Sequence, residues 1–184
     1  MNIEIIAGSP RHPSLNARVA RYVHHYLQSI CNHQVGLIEM NQQTLPFIEK
    51  VWSSADKAPE EYRGLAERMF AADAFIISSP EYNGGYSPAM KNLFDHFPKQ
   101  TRKPFGIITS SDGAMGGMRA AQQLLQLVPA LFGIASPFML IVPQADKKFD
   151  EHAQLLAPEF HKNIEDFCRE FLWLAEKIRG QVQA

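Results

Sequence analysis

Residues 74–97 read AFIISSPEYNGGYSPAMKNLFDHF. The apolar run Ala74–Ser79 breaks into a polar loop with two adjacent glycines. The chain regains order at Ser87-Pro88, where Ser suits a helix N-cap and Pro the first helical position. Such a strand–loop–helix joint leaves backbone N–H groups free at the carboxyl end of a sheet, the edge where α/β proteins bind ligands. A second joint of the same kind lies near the N-terminus. The pair points to a flat, anionic cofactor held by backbone rather than to a catalytic side chain.

Working outward, short apolar strands alternate with longer helical patterns. The expected strands are 2–7, 34–40, 74–79, 104–110 and 135–142. The first, third and fourth lack alternation, as strands buried on both faces do. The helices between them are expected at 14–30, 59–72, 87–97, 117–132 and 152–179. In the first, Val19, Val23, Leu27 and Ile30 are spaced four, four and three apart. In the last, Leu156, Phe160, Ile164, Phe167, Phe171, Leu174 and Ile178 form one apolar stripe. Pro129 is expected to end or kink the fourth helix, with Gly133 just beyond it. Five βα units predict a three-layer α/β sandwich with right-handed crossovers. Residues 41–58 read as a long surface loop near the ligand edge.

The chain has 184 residues, 46% hydrophobic and 20% charged, which favours one globular domain over 1–184. A net charge of −1 and the lack of a basic stripe argue against nucleic acid as a partner. No apolar run approaches the roughly 20 residues of a membrane span. The N-terminal stretch reads as a strand, not a signal peptide. Cys31 and Cys168 offer neither a disulfide framework nor metal spacing and read as buried or semi-buried thiols of a cytoplasmic protein.

Three segments carry candidate chemistry. In Gly8-Ser9-Pro10-Arg11-His12-Pro13-Ser14-Leu15-Asn16, two hydroxyls, an amide, a guanidinium and a helix N-terminus suit a phosphate dianion. An ordinary capped helix with a solvated Arg is the plainer reading. In Pro80-Glu81-Tyr82-Asn83-Gly84-Gly85-Tyr86, the glycines allow backbone to approach a planar ring, which Tyr82 or Tyr86 would flank and Asn83 would cap. Glu81 is expected to orient this loop through backbone N–H groups rather than to act as acid or base. A tight turn with surface tyrosines competes with this. Lys91 and Asp95 read as a surface pair. The third segment, Ser110-Ser111-Asp112-Gly113-Ala114-Met115-Gly116-Gly117, exposes loop N–H groups, a weak signal by itself. The chain has no Gly-x-Ser-x-Gly elbow, Walker loop, dinucleotide fingerprint or His-Glu-x-x-His pattern.

Together these segments resemble the NADPH-dependent FMN reductases of the flavodoxin-like superfamily, which include quinone, azo-dye and chromate reductases. The likeness spans residues 1–142. It rests most on Pro80-Glu81-Tyr82-Asn83-Gly84 continuing to Lys91-Asn92 and Asp95. The resemblance implies a flavodoxin-like sandwich, a five-stranded parallel sheet of order 2-1-3-4-5, with FMN at the switch between strands one and three. It implies that Ser9, Arg11, Ser14, Leu15 and Asn16 hold the FMN phosphate. Pro80, Glu81, Tyr82, Asn83 and Gly84 would line the isoalloxazine, and Ser111 and Gly113 its other edge. Asp112 departs from the family pattern, and its charge suits a reduced flavin only if it points to solvent.

The implied activity is a ping-pong relay in which NADPH, or NADH, gives hydride to flavin N5. A small acceptor such as a quinone, azo compound, free flavin or metal oxyanion then takes it over the same face. Loop amides would stabilise the reduced ring, so no general base is required. Arg102, Lys103 and Arg119 are the cations considered for the 2′-phosphate of NADPH, although each reads first as a solvated charge. The family also implies a homodimer or homotetramer, with the 41–58 loop and the helix from Ser87 as interface candidates; Phe94, Phe97 and Trp52 read equally as anchors there or as core or edge packing. The alternative is an electron-transfer or flavin-binding module without reductase activity. A response-regulator-like domain would want acidic residues after the first strand, where Gly8-Ser9-Pro10-Arg11 has none.

Overall fold

The computed structural model describes residues 1–182. Strand β1 (Asn2–Ala7) leads into helix α1 (Leu15–Ile30) and strand β2 (Gln34–Glu39). Next come α2 (Arg63–Ala71), β3 (Ala74–Pro80), α3 (Pro88–Asp95) and β4 (Pro104–Ser110). The chain continues through α4 (Met118–Ala130), β5 (Ile134–Ala135), β6 (Leu140–Val142), α5 (Ala145–Lys148) and α6 (His161–Val182). All strand pairs are parallel, in the order β2-β1-β3-β4-β5, with β6 also paired to β4. This is the flavodoxin-like order expected from the sequence.

The near-continuous apolar strands are covered on both faces. On one, Val19, Val23 and Leu27 of α1 and Ile164, Phe167 and Phe171 of α6 pack over Ile3, Ile5 and Ile76. On the other, α2, α3 and α4 pack over Ile6, Phe75, Ile77, Phe105 and Ile107. Phe75 stacks on Phe105 at 5.2 Å and meets Phe94 edge-on at 5.7 Å. Each such buried ring contributes roughly 1.5–3 kcal/mol by removing its surface from water.

Several boundaries differ from expectation for local reasons. The fifth strand is split, because residues 136–139 include Pro137, which has no N–H to donate to a ladder. Its two pieces still flank β4, joined by Ser136 N–H donating to the Phe105 carbonyl at 2.7 Å. The last helix starts at His161, after a single tight turn at Pro158–Phe160, so Leu156 lies ahead of it and is 56% exposed. Pro129 is accommodated in the final turn of α4, which closes one residue later. Ser87 holds the N-cap position of α3, but its side chain makes no capping bond. Its N–H donates instead to Ser79 Oγ at 2.9 Å. The interface candidates Trp52, Phe94 and Phe97 are core residues, exposed by 5%, 1% and 5%. Trp52 stacks on Tyr62, meets Phe97 edge-on and packs against His96, which secures the otherwise irregular 41–58 segment.

Beneath the carboxyl edge of the sheet, the Asn16 side chain is 2% exposed and joins three crossings. In the amide orientation that satisfies both ends, its oxygen accepts from Ser78 Oγ at 2.9 Å, Ser110 Oγ at 3.1 Å and Ser79 N–H at 3.3 Å. Its NH₂ donates to the Ser78 carbonyl at 3.0 Å. Asn16→Ala strands these partners in a dry site and is expected to cost about 1–3 kcal/mol, read as a lowered urea midpoint at unchanged m-value. Burial pushes the Cys168 thiol up to about 12, whereas Cys31 is partly exposed. Ellman's reagent at pH 8 is therefore expected to react with one thiol in the native protein and two in urea.

Candidate functional site

The carboxyl ends of β1, β3 and β4 open into one cleft of about 210 Å³. Ser9, Arg11, Pro13, Ser14, Leu15 and Asn16 form one wall. Pro80, Glu81 and Tyr82 form the second, and Ser110, Ser111 and Asp112 the third. Nine of the twelve residues expected from the sequence thus meet in one place. Asn83, Gly84 and Gly113 lie just outside it.

The first wall gathers hydrogen-bond donors. Ser14 caps α1, its Oγ accepting from Ala17 N–H at 3.1 Å, which leaves the hydroxyl proton to donate elsewhere. The amides of Leu15 and Asn16, in the first turn, have no acceptor within the helix. No acidic residue occupies that turn. Ser9 Oγ accepts from Arg11 N–H at 3.3 Å and shares a hydrogen bond with the Tyr82 hydroxyl at 3.2 Å. The Arg11 guanidinium lies over the Tyr82 ring at 4.5 Å, with no carboxylate partner among the described residues. Two hydroxyls, two helix amides and one unpaired guanidinium converge, a donor set that fits a phosphate dianion. Asn16 takes part through its backbone, since its side chain is turned inward.

The second wall is a two-residue hairpin. Tyr82 N–H donates to the Gly85 carbonyl at 2.9 Å, and Gly85 N–H returns a bond to the Tyr82 carbonyl at 3.0 Å. Asn83 and Gly84 form its tip at φ 51° and 81°, the left-handed pair that an Asn-Gly turn supplies. The tip is therefore spent on the turn, and Tyr82 is the ring presented to the cleft. Tyr86 packs instead against the α2/α3/α4 core, where burial raises its phenol pKa. Glu81 Oε2 accepts from the α4 amides of Arg119 at 3.1 Å and Ala120 at 3.4 Å. Its other oxygen lies 3.6 Å from the Arg119 guanidinium. Glu81 thus caps a distant helix and pins the hairpin to it.

The third wall is braced from below. Gly116, at φ 61°, lies so close to the following crossing that a Cβ there would sit 2.6 Å from Pro143 N. Asp112 is exposed at the rim. Pro13, Ser110 and Asp112 are the lining residues not assigned from sequence. Ser110 was detectable as the last residue of an apolar strand, near the level of Ser78 and Ser79 in β3. Of the cations weighed for a 2′-phosphate, Arg102 and Lys103 precede β4 and lie at the opposite, amino end of the sheet. Arg119 alone stands beside the cleft.

The sequence model of the family described as NADPH-dependent FMN reductase matches residues 1–146. The FMN-dependent NADPH-azoreductase of Staphylococcus aureus is 31% identical over 146 residues, 77% of each chain. Its counterpart in Staphylococcus saprophyticus is 28% identical over 162 residues, 84% of each. Among solved structures, FerB, a flavoenzyme NAD(P)H:(acceptor) oxidoreductase from Paracoccus denitrificans, superposes with a TM-score of 0.77 at 22% identity, over 96% of this chain and 97% of that one. A single-site variant of flavodoxin from Pseudomonas aeruginosa superposes at 0.60 and 17% identity, over 93% and 99%. Both likenesses concern the fold. With the family match spanning the whole parallel sheet and all three walls of the cleft, the chain belongs to the NADPH-dependent FMN reductases.

Proposed function

We propose that this protein is an FMN-dependent NADPH oxidoreductase formed by one FMN-binding domain over 1–184, acting on a small electron acceptor by a ping-pong relay. The carrying observation is the convergence of Ser9, Arg11, Ser14 and the α1 amides beside the Tyr82 ring. Bound there, FMN supplies the two-electron centre that couples NADPH oxidation to reduction of the acceptor.

The chain's own residues bind and orient. Ser9, Arg11, Ser14, Leu15 and Asn16 would hold the phosphate. Pro80, Glu81, Tyr82, Asn83 and Gly84 would carry the ring side, with Ser111 and Gly113 at the far edge. Arg11 and the positive end of α1 offset the phosphate charge. The α4 amides hold Glu81 in place, so the hairpin keeps its register while a substrate enters and leaves. No side chain in the cleft is set as a general acid or base.

The acceptor belongs to the class of quinones, azo compounds, free flavins or metal oxyanions. The two azoreductases support the azo compounds in particular. A homodimer or homotetramer is supported by the 41–58 segment. There Phe47 is 91% exposed beside Ile48 and Val51, along a groove shared with Pro10 and Ala89 next to the cleft. Among the described residues no helix is long and apolar enough to cross a membrane. Two free thiols suit a cytoplasmic setting.

The purified protein is expected to take up FMN and turn yellow, and anaerobic NADPH is expected to bleach it within seconds. Parallel double-reciprocal lines with an azo dye or a quinone would mark the ping-pong order. Binding of FMN without bleaching would identify an electron carrier instead. Arg11→Gln is expected to weaken FMN binding by about 10–100-fold, the roughly 1.5–3 kcal/mol of a charged hydrogen bond. Its affinity for riboflavin, which lacks the phosphate, is expected to stay within about twofold. Equal losses for both ligands would remove Arg11 from the phosphate site.

A further inference from the structure

The largest cleft described lies at the other end of the sheet. It measures about 480 Å³, against about 210 Å³ between the loops of the candidate cofactor site. It runs across the amino ends of β3 and β4, from the end of α2 to the last turns of α6, and is lined on both sides by apolar groups. Phe70 and Ala72 come from the α2 side, Pro104 from the strand, and Ala175 and Ile178 from α6.

Three cations line the same space: Arg102, Lys103 and Arg179. One carboxylate, Asp73, faces them, and its Oδ2 already accepts from Asn2 N–H at 2.8 Å. Three positive side chains thus face one negative one. Neither Arg102 nor Arg179 forms an ion pair among the described residues. Lys103 Nζ makes one hydrogen bond, to Gln100 Oε1 at 2.9 Å, and lies 5.2 Å from the Phe75 ring centroid. Burial lowers its pKa, and Asp73 acts in the opposite direction.

Arg179 stands in the last turn of α6, where a cation complements the dipole. Arg102 and Lys103 follow no helix in sequence, and they line the same cleft as the last residues of α2. Arg102 moreover holds a left-handed backbone at φ 62°, fixed by its N–H donating to the Phe132 carbonyl at 2.8 Å. A non-glycine residue held there costs on the order of 1 kcal/mol.

We propose that this cleft binds a small amphiphilic anion, its carboxylate or sulfonate head among Arg102, Lys103 and Arg179 and its apolar body on Phe70, Ala175 and Ile178. The head places an anion among three cations, two of which form no ion pair among the described residues, and the body covers apolar wall. A cavity of this size is ordinary for a ligand site. It shares no residue with the loops proposed to hold FMN, so both ligands fit one chain.

Calorimetric titration with octanoate tests this, on the purified protein with and without FMN. The expected result is one octanoate per chain with the same affinity in both states. Acetate, the head alone, and octyltrimethylammonium, the reversed charge, are each expected to bind at least tenfold more weakly. Arg102→Asn keeps a residue that tolerates the left-handed backbone. Combined with Arg179→Gln, it is expected to weaken octanoate at least tenfold. Ile178→Glu, which places a charge on the apolar wall, is expected to do the same. Melting temperatures within a few degrees of the parent would show that the variants fold. Octanoate that gives no saturable heat, that binds these variants as tightly as the parent, or that is displaced by FMN would overturn the proposal. So would equal binding of octyltrimethylammonium.

Discussion

Everything at the carboxyl edge of the sheet depends on one buried amide. The Asn16 side chain spans the ends of β3 and β4 from the first turn of α1, reaching Ser78, Ser79 and Ser110. Parallel strands bring their carboxyl ends to the same edge, but they do not set how far apart the three following loops stand. A fully satisfied polar network in a dry site does, because any other spacing strands several donors and acceptors at once. Two apolar strand ends therefore carry serines, Ser78 and Ser79 in β3 and Ser110 in β4, where an apolar residue would pack as well but could not bond.

The loops above this network sort charge by position. Around α1 the donors are left free: Arg11 lies on Tyr82 without a carboxylate, and the first helical turn has no acid. The acid nearest the cleft, Glu81, is neutralised by its setting, because the amides of α4 and the Arg119 guanidinium take its oxygens. Asp112 is the remaining acid, and it stands in water at the rim. An anionic ligand thus meets positive potential at one end of the cleft and little opposing charge along it. Glu81 serves this arrangement twice, holding the hairpin in register and removing its own charge from the ligand's path.

Most of this was legible in the chain, because the decisive features are local. The runs at β1, β3 and β4 lack alternation, which reports burial on both faces. Ser14 has the spacing of an N-cap and acts as one. Ser87 has the same credentials and does not, since Ser79 Oγ, eight residues back, claims its N–H. That competition is tertiary and leaves no trace in composition. The same holds for Trp52, which reads equally as an interface anchor or a core residue and is buried by Tyr62, His96 and Phe97. The inward turn of Asn16 was equally hidden: a short amide after a capping Ser suits a ligand as well as it suits two strand ends.

The two ends of a parallel sheet are not electrostatically equivalent. Helices that follow strands present their N-termini at the carboxyl edge, so that edge attracts anions through backbone alone. The amino edge receives helix C-termini, whose partial negative charge calls for cations. Arg68 near the end of α2 and Arg179 near the end of α6 fit that rule, and Arg68 also holds the Glu4 carboxylate. Arg102 and Lys103 stand at the start of β4, where the Phe132 carbonyl fixes the turn, and share their cleft with the last residues of α2. Arg102 and Arg179 are exposed to water, whereas Lys103 is half-buried, and that burial lowers its pKa against the pull of Asp73.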